Sequence, residues 1–75
     1  MDIILQKVEE YSNVSGEKKY VRAAMFADNK NITLPETGET VQGLSDDYYI
    51  APGSSIFTAD GNIIFRGIDG WGEWL

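Results

Sequence analysis

The chain contains no cysteine and no histidine among its 75 residues. Disulfide bonds, zinc sites built from Cys and His, thiol nucleophiles and imidazole acid–base catalysis are therefore excluded. No apolar run approaches the roughly 20 residues that a membrane-spanning helix needs. The opening MDIILQKVEEY carries an acid at Asp2 and no small-residue cleavage site, so we expect no export signal and a cytosolic protein.

Positive charge is also scarce in this sequence. Twelve acidic residues outnumber six Lys and Arg, which gives a net charge of −6. This balance argues against contact with the phosphates of nucleic acid or with an anionic membrane surface. The 43% of hydrophobic residues is typical of a folding chain, and residues 1–75 are expected to form one small domain. Such a domain, without disulfides or metals, often gains stability by associating with other subunits.

Residues 34–38 read LPETG, the form of the pentapeptide that sortases cleave when they anchor proteins to cell walls. A sortase substrate also needs an export signal and, after the motif, an apolar segment with a basic tail. Here the sequence after Gly38 is polar and acidic, and the motif lies in the middle of the chain. We therefore interpret LPETG as the end of a strand over 31–34 followed by a turn at 35–38, in which Pro fixes φ and Gly accepts a positive φ.

The distribution of turn residues, about one cluster every eight to twelve positions, is typical of a small all-β domain. Residues 3–11 fit either a helix face or a strand. The turn-rich segment 13–17 and the alternating pattern over 18–28 favour a strand and hairpin, with a helix as the alternative for 3–11. The predicted fold is an antiparallel meander of five to seven short strands, forming a partly open barrel or sandwich.

The C-terminal half carries the clearer strand signals. Strands are predicted at 48–51, 54–59, 62–67 and 71–75. Pro52-Gly53 separates the first two, Asp60-Gly61 predicts a two-residue type I′ hairpin, and Asp69-Gly70 predicts a second turn. Most of the bulky core is expected from Ile56, Phe57, Ile63, Ile64 and Phe65.

The carboxylates are the only candidates for catalysis or metal binding. Asp46 and Asp47 are adjacent, so in a strand they face opposite sides and do not form an acid–base pair. Asp60 and Asp69 precede glycines and are explained as turn residues. The segment 28–31 offers oxygen ligands, but Lys30 interrupts it and it lacks the pattern of a calcium loop. We predict no catalytic residue, no metal site and no cofactor.

Four aromatic residues are candidates for contact with a partner: Tyr48, Tyr49, Trp71 and Trp74. These residues could form a flat surface that binds a sugar or a peptide. Such aromatic residues more often cover the end of the core or contact another subunit. The two tryptophans are three positions apart, so in a strand they face opposite sides. One is then expected in the core and the other at an interface, beside an exposed strand edge.

A series of short segments in the C-terminal half resembles a known type of protein. They are Val41-x-Gly43-Leu44 followed by an acidic pair, Ala51-Pro52-Gly53-Ser54, Thr58-x-Asp60-Gly61 and the terminal Asp69-Gly70-Trp71. Residues 38–74, about half the chain, thereby resemble small proteins from the structural gene clusters of tailed bacteriophages and prophages. The resemblance implies a non-enzymatic virion or virion-assembly component made in the cytoplasm of a bacterial host. It carries over no catalytic or binding residue.

The function expected from the sequence is that of a non-enzymatic, phage- or prophage-related structural or assembly protein. It would act through protein–protein contacts, either with itself or with other virion components. The alternative is an acidic inhibitor that mimics nucleic acid and acts on a host factor. A mimic needs its acids on one face, whereas Lys and Arg are interspersed among the acids of this sequence.

Overall fold

The computed structural model describes residues 2–11 and 19–75, of which 10 and 11 are described by their backbone alone. The seven strands are β1 (Ile3–Tyr11), β2 (Lys19–Ala27), β3 (Val41–Gln42), β4 (Tyr48–Ile50), β5 (Ser55–Thr58), β6 (Ile63–Gly67) and β7 (Gly70–Trp71). They form a curled, half-open barrel in the order β3-β1-β2-β5-β6-β7, with β4 also paired to β2. The predicted all-β fold is confirmed.

The first segment is a strand, not a helix. β1 and β2 pair antiparallel along their length, as the alternating pattern of β2 indicated. A shift in register leaves Gln6 as an extra residue between Leu5 and Lys7, which is a β-bulge. The turn predicted at 13–17 lies outside the described residues.

The pairing of the remaining strands differs from a simple meander. The hairpins β5–β6 and β6–β7 are antiparallel, as expected, but β3 pairs in parallel with β1, and β4 and β5 pair in parallel with β2. Parallel neighbours need a connection of about a dozen residues or more. The long segment 28–47 between β2 and β4 supplies it.

Strand β2 lies at the centre of the sheet and alternates strictly between its two faces. Val21, Ala23, Met25 and Ala27 are buried on the inner face, while the residues between them are exposed or half-buried. Other elements complete the core beneath this strand; they contribute Ile3, Val41, Leu44, Ile50, Ile56 and Ile64. The inner face therefore carries the hydrophobic core of the domain.

The second edge of β2 is shared by two short strands. β4 pairs with its first three residues and β5 with its last four. The side chain of Ser54, fully buried, fills the gap between them. Its Oγ accepts a hydrogen bond from Ala23 N at 3.0 Å and lies 3.4 Å from Val21 O, to which it donates. Between the end of the β4 pairing and the start of the β5 pairing, the Ser54 side chain therefore satisfies the backbone of β2 in place of a strand.

A tight turn, Ala51–Ser54, connects β4 to β5. Ser54 N donates to Ala51 O at 3.2 Å, and Gly53 has a φ of 95°. Pro52 at the second position and a glycine of positive φ at the third are the arrangement of a type II turn. The break predicted at Pro52-Gly53 is therefore confirmed.

The β5–β6 hairpin has a three-residue loop, not the predicted two-residue type I′ turn. Gly61 N donates to Thr58 O at 3.1 Å and Thr58 N to Asn62 O at 2.9 Å. Gly61 has a φ of 93°, but no non-glycine residue among those described has a positive φ, so Asp60 does not meet the type I′ requirement. A type I turn followed by a left-handed glycine is the usual three-residue alternative.

The predicted strand end over 31–34 and turn at 35–38 are wrong. The LPETG segment instead pairs with β4 and leads into a 3-10 turn. Residues 31–34 form no strand. Glu36 O accepts from Ile50 N at 3.0 Å, and Thr37 bridges Tyr49, so the segment runs antiparallel beside β4. A 3-10 turn follows at Gly38–Thr40. Pro35 and Gly38 are buried, which removes the motif from the extended, accessible form that an enzyme would cleave.

Gly38 is required by close packing and not by its φ. A Cβ at this position would lie 2.1 Å from Ser45 O and 2.9 Å from Leu44 Cγ, and its φ is not positive. Alanine would therefore force the backbone of the 43–47 segment to move. This explains the glycine of LPETG by its contact with the chain that follows.

We expect Gly38→Ala to lower the free energy of unfolding by about 1–3 kcal/mol, the usual cost of overpacking. The matched control is Gly72→Ala, because a Cβ there would meet only Phe65 O at an ordinary 3.5 Å. Urea denaturation of both variants and the wild type measures the difference. Equal stability of the two variants would contradict the packing explanation.

Candidate interaction surface

A row of apolar side chains crosses the outer face of the sheet. The strand registers place Ile4 opposite Phe26, Phe26 opposite Phe57, and Phe57 opposite Ile63. The rings of Phe26 and Phe57 meet edge to face with centroids 5.3 Å apart. Phe65 lies on the same face, two residues beyond Ile63. We call these five residues the aromatic face.

The aromatic face is open to solvent. Ile4 and Phe57 are each 40% exposed and Phe65 is 51% exposed. Large hydrophobic side chains in one contiguous row, as opposed to scattered singly, are the kind of patch that marks an interaction site. The sheet therefore has a buried apolar inner face and a second, partly uncovered apolar face.

For this reason, only two of the five residues expected to form the bulky core are buried, namely Ile56 and Ile64. Phe57, Ile63 and Phe65 occupy the alternate positions of the same strands and lie on the outer face. A period of two assigns neighbours to opposite faces. This period does not indicate which face of the strand packs against the core when both faces carry apolar side chains.

Charged residues border the aromatic face on one side. Arg22 lies directly opposite Glu9 in the β1–β2 register, with Arg22 Nη2 3.1 Å from Glu9 Oε2. Lys7 Nζ is 3.8 Å from the other carboxylate oxygen. Beside them Ala24, Ser55 and the neighbouring Gly53 help to line an open cleft of about 190 Å³. An apolar row with a polar, charged border has the composition of a protein–protein interface.

The four aromatic residues predicted as contacts do not share one face. Tyr48, Trp71 and Trp74 are half-buried and pack against the core. Tyr49 lies on the other side of β4 and stacks at 5.4 Å on Tyr20. Their role as partner contacts stays a prediction. None of the four belongs to the aromatic face, three of whose residues (Phe57, Ile63 and Phe65) were expected in the core.

The C-terminal segment explains why both indoles turn inward. β7 ends at Trp71, so the strand predicted over 71–75 is shorter than expected. The chain continues irregularly beside β6, with Gly72 N bonded to Phe65 O and Leu75 N to Ile63 O. The expectation that Trp71 and Trp74 face opposite sides assumed a regular strand and is wrong. Trp71 Nε1 donates to Pro35 O at 2.8 Å, which fixes this end to the LPETG segment.

Within residues 2–11 and 19–75, no three potential metal ligands of the His, Cys, Asp and Glu types lie together. Asp46 and Asp47 are exposed at the turn before β4.

Across the part of the chain that the structure describes, no helix is long and apolar enough to cross a membrane.

Asp60, in the β5–β6 loop, has a pKa below the ordinary value of an aspartate. A hydrogen bond from Thr58 Oγ1, and a second from Asn62 Nδ2 at 3.1 Å, stabilise its charged form and lower its pKa. The same Thr58 Oγ1 accepts from Asn62 N at 3.0 Å. The aspartate therefore organises the β5–β6 loop, which is a structural role.

Comparison with protein-family models, with curated proteins and with solved structures found no match for this chain. The fold and the surface define it as a small all-β domain with an apolar outer face.

We expect Asp60→Asn to destabilise the protein at pH 7, and the difference from wild type to disappear in acid. The lowered pKa means that the folded state favours the carboxylate, so its contribution is present above the unfolded pKa of about 4 and is lost as the pH falls through the folded value. Urea midpoints across the acid range measure this. Asp69→Asn, in the next turn, is the control; a pH-independent loss in Asp60→Asn would contradict the charge explanation.

Proposed function

We propose that this protein is a non-enzymatic structural or assembly component of a tailed bacteriophage or prophage, which acts by docking on other proteins. The observation that carries the proposal is the aromatic face. Its residues are held by three paired strands, β1, β2 and β5, and by β6 at its margin. Because strand pairing fixes the spacing of these side chains before a partner binds, less backbone entropy is lost on docking.

Composition and layout support protein as the partner. Phe residues are enriched at the centres of interfaces, and charged residues are depleted there and found at the rim. The aromatic face has this distribution, with the Arg22–Glu9 pair at its border. The open, shallow cleft beside it is lined by Lys7, Glu9 and Arg22 and is mostly polar, which does not suit a small apolar ligand.

The phage context rests on the resemblance of residues 38–74. The structure gives several of those residues roles in turns. Ala51–Ser54 form the turn between β4 and β5, and Thr58, Asp60 and Gly61 organise the β5–β6 loop. The roles of these residues are to form the turns that connect the strands. We propose that this structural component is made in the host cytoplasm, with entry into the virion as an option.

We expect the double substitution Phe57→Thr/Phe65→Thr to reduce incorporation into phage particles at least tenfold, since removal of the two exposed aromatic anchors costs more than about 1.4 kcal/mol. Threonine suits a strand, so the fold is retained. Ile68→Thr is the matched control, because Ile68 is 87% exposed in the β6–β7 turn and outside the aromatic face. Quantitative mass spectrometry of particles released after prophage induction gives the readout.

Two outcomes would contradict different parts of the proposal. Equal incorporation of the double variant and the wild type would show that the aromatic face is not the docking surface. Absence of the wild-type chain from particles and from assembly intermediates would contradict the phage function itself.

One observation favours the second candidate, an acidic inhibitor. The connection 28–47 carries five acids and only one base, Lys30, and all six side chains are exposed. Such a run can imitate phosphates if a host DNA-binding protein is the partner. Competition separates the candidates: double-stranded DNA would displace the partner of a mimic, but not a partner docked on the aromatic face.

A further inference from the structure

We propose that the free edge of β1 pairs antiparallel with β1 of a second copy, around a twofold axis at Val8. The inference rests on the proposed role in protein–protein contact and deepens it by naming a partner and a register. It uses the edge of the sheet and not the aromatic face, so the two surfaces can be tested separately.

Within residues 2–11 and 19–75, the edge of β1 that faces away from β2 is open over most of its length. One edge pairs with β2 throughout, whereas on the other β3 pairs only with Ile3 and Ile4. From Leu5 to Tyr11, no other described strand is paired to this edge. Unpaired backbone N–H and C=O groups along a strand form a template for another strand.

The bulge at Gln6 limits where a second strand can add. Bulges and charged side chains commonly protect the edges of sheets from unwanted pairing. Here the bulge lies next to the end of the β3 pairing, and the register with β2 is unbroken from Lys7 onward. The regular part of the open edge is therefore Lys7–Tyr11, and an axis at Val8 forms its ladder from Lys7–Glu9 of each copy.

Charge complementarity selects the register. Around a twofold axis at Val8, Lys7 of each copy lies opposite Glu9 of the other, and Val8 lies opposite Val8. An axis at Glu9 would place Glu9 opposite Glu9, and an axis at Lys7 would place Lys7 opposite Lys7. Directly opposed unlike charges stabilise a strand pair and like charges destabilise it. The two registers centred between Val8 and a neighbouring residue would place Val8 opposite Lys7 or Glu9, which are charged.

The side chains concerned are accessible. Those of Lys7 and Glu9 are 75% and 53% exposed, and Val8 is 42% exposed. Glu9 already contacts Arg22 and Lys7 of its own copy, so an incoming Lys7 would extend an ion-pair network. Two such networks, one on each side of the axis, would form across the seam. Exposed pairs are individually weak, so we expect a concentration-dependent dimer and not a permanent one.

The test uses two charge reversals, Lys7→Glu and Glu9→Lys, with solution mass measured by light scattering and sedimentation over a concentration series. Each reversal opposes like charges at both ends of the seam, so each variant alone should weaken the dimer about tenfold or more. In an equimolar mixture, the acid introduced by Lys7→Glu faces the base introduced by Glu9→Lys, and the two native side chains face each other. The mixture should therefore form heterodimers at concentrations where each variant alone is monomeric.

Lys19→Glu and Asp46→Lys are the matched controls, since they make the same changes of charge at exposed sites away from this edge. Thermal unfolding checks that Glu9→Lys, which loses the Arg22 contact, is still folded. A mixture that stays monomeric, or a wild type that is monomeric up to about 1 mM, would overturn the proposal. It would also be overturned if Phe57→Thr/Phe65→Thr abolished the dimer and Lys7→Glu did not, because the second copy would then sit on the aromatic face.

Discussion

The fold depends on the hydrogen bonds that the buried Ser54 side chain makes to the central strand. β2 has one edge fully paired by β1, but its other edge is divided between β4 and β5. Ser54 Oγ bonds Ala23 N and Val21 O at the junction. Without it, a buried backbone N–H in the middle of the sheet would have no partner, at a cost of about 1–3 kcal/mol.

The same junction ties the C-terminal hairpin to the sheet. The backbone of the Ala51–Ser54 turn is hydrogen-bonded to β6. Gly53 N donates to Arg66 O, and Arg66 N donates to Ser54 O, both at 2.8 Å. β6 is thereby bonded to β5 and to the turn before it. The outer face then runs without interruption from β1 to β6. The aromatic face is a consequence of this continuity.

Part of this architecture could be predicted from the sequence. The alternation of Val21, Ala23 and Met25 with Tyr20 and Arg22 indicated β2. Pro52-Gly53 indicated the break between β4 and β5. These signals are local, since side-chain period and turn chemistry act over a few residues. The all-β class followed from them.

The rest depends on contacts between distant parts of the chain. Nothing near Gly38 in the sequence indicates that Ser45 O would exclude a Cβ, and a buried serine such as Ser54 has no pattern of its own. Phe57 and Phe65 were assigned to the core because both faces of β5 and β6 carry large apolar residues. To predict that β4 and β5 pair in parallel with β2, one would need to know the course of the whole 28–47 connection, which no local signal gives.

The role of Ser54 is tested most directly by hydrogen exchange at the Ala23 amide. In the wild type this amide should be protected as well as its neighbours in β2, and Ser54→Ala should lower its protection about tenfold or more relative to theirs. Fast exchange at Ala23 in the wild type, or protection unchanged in Ser54→Ala, would show that the two halves of this edge are joined in some other way.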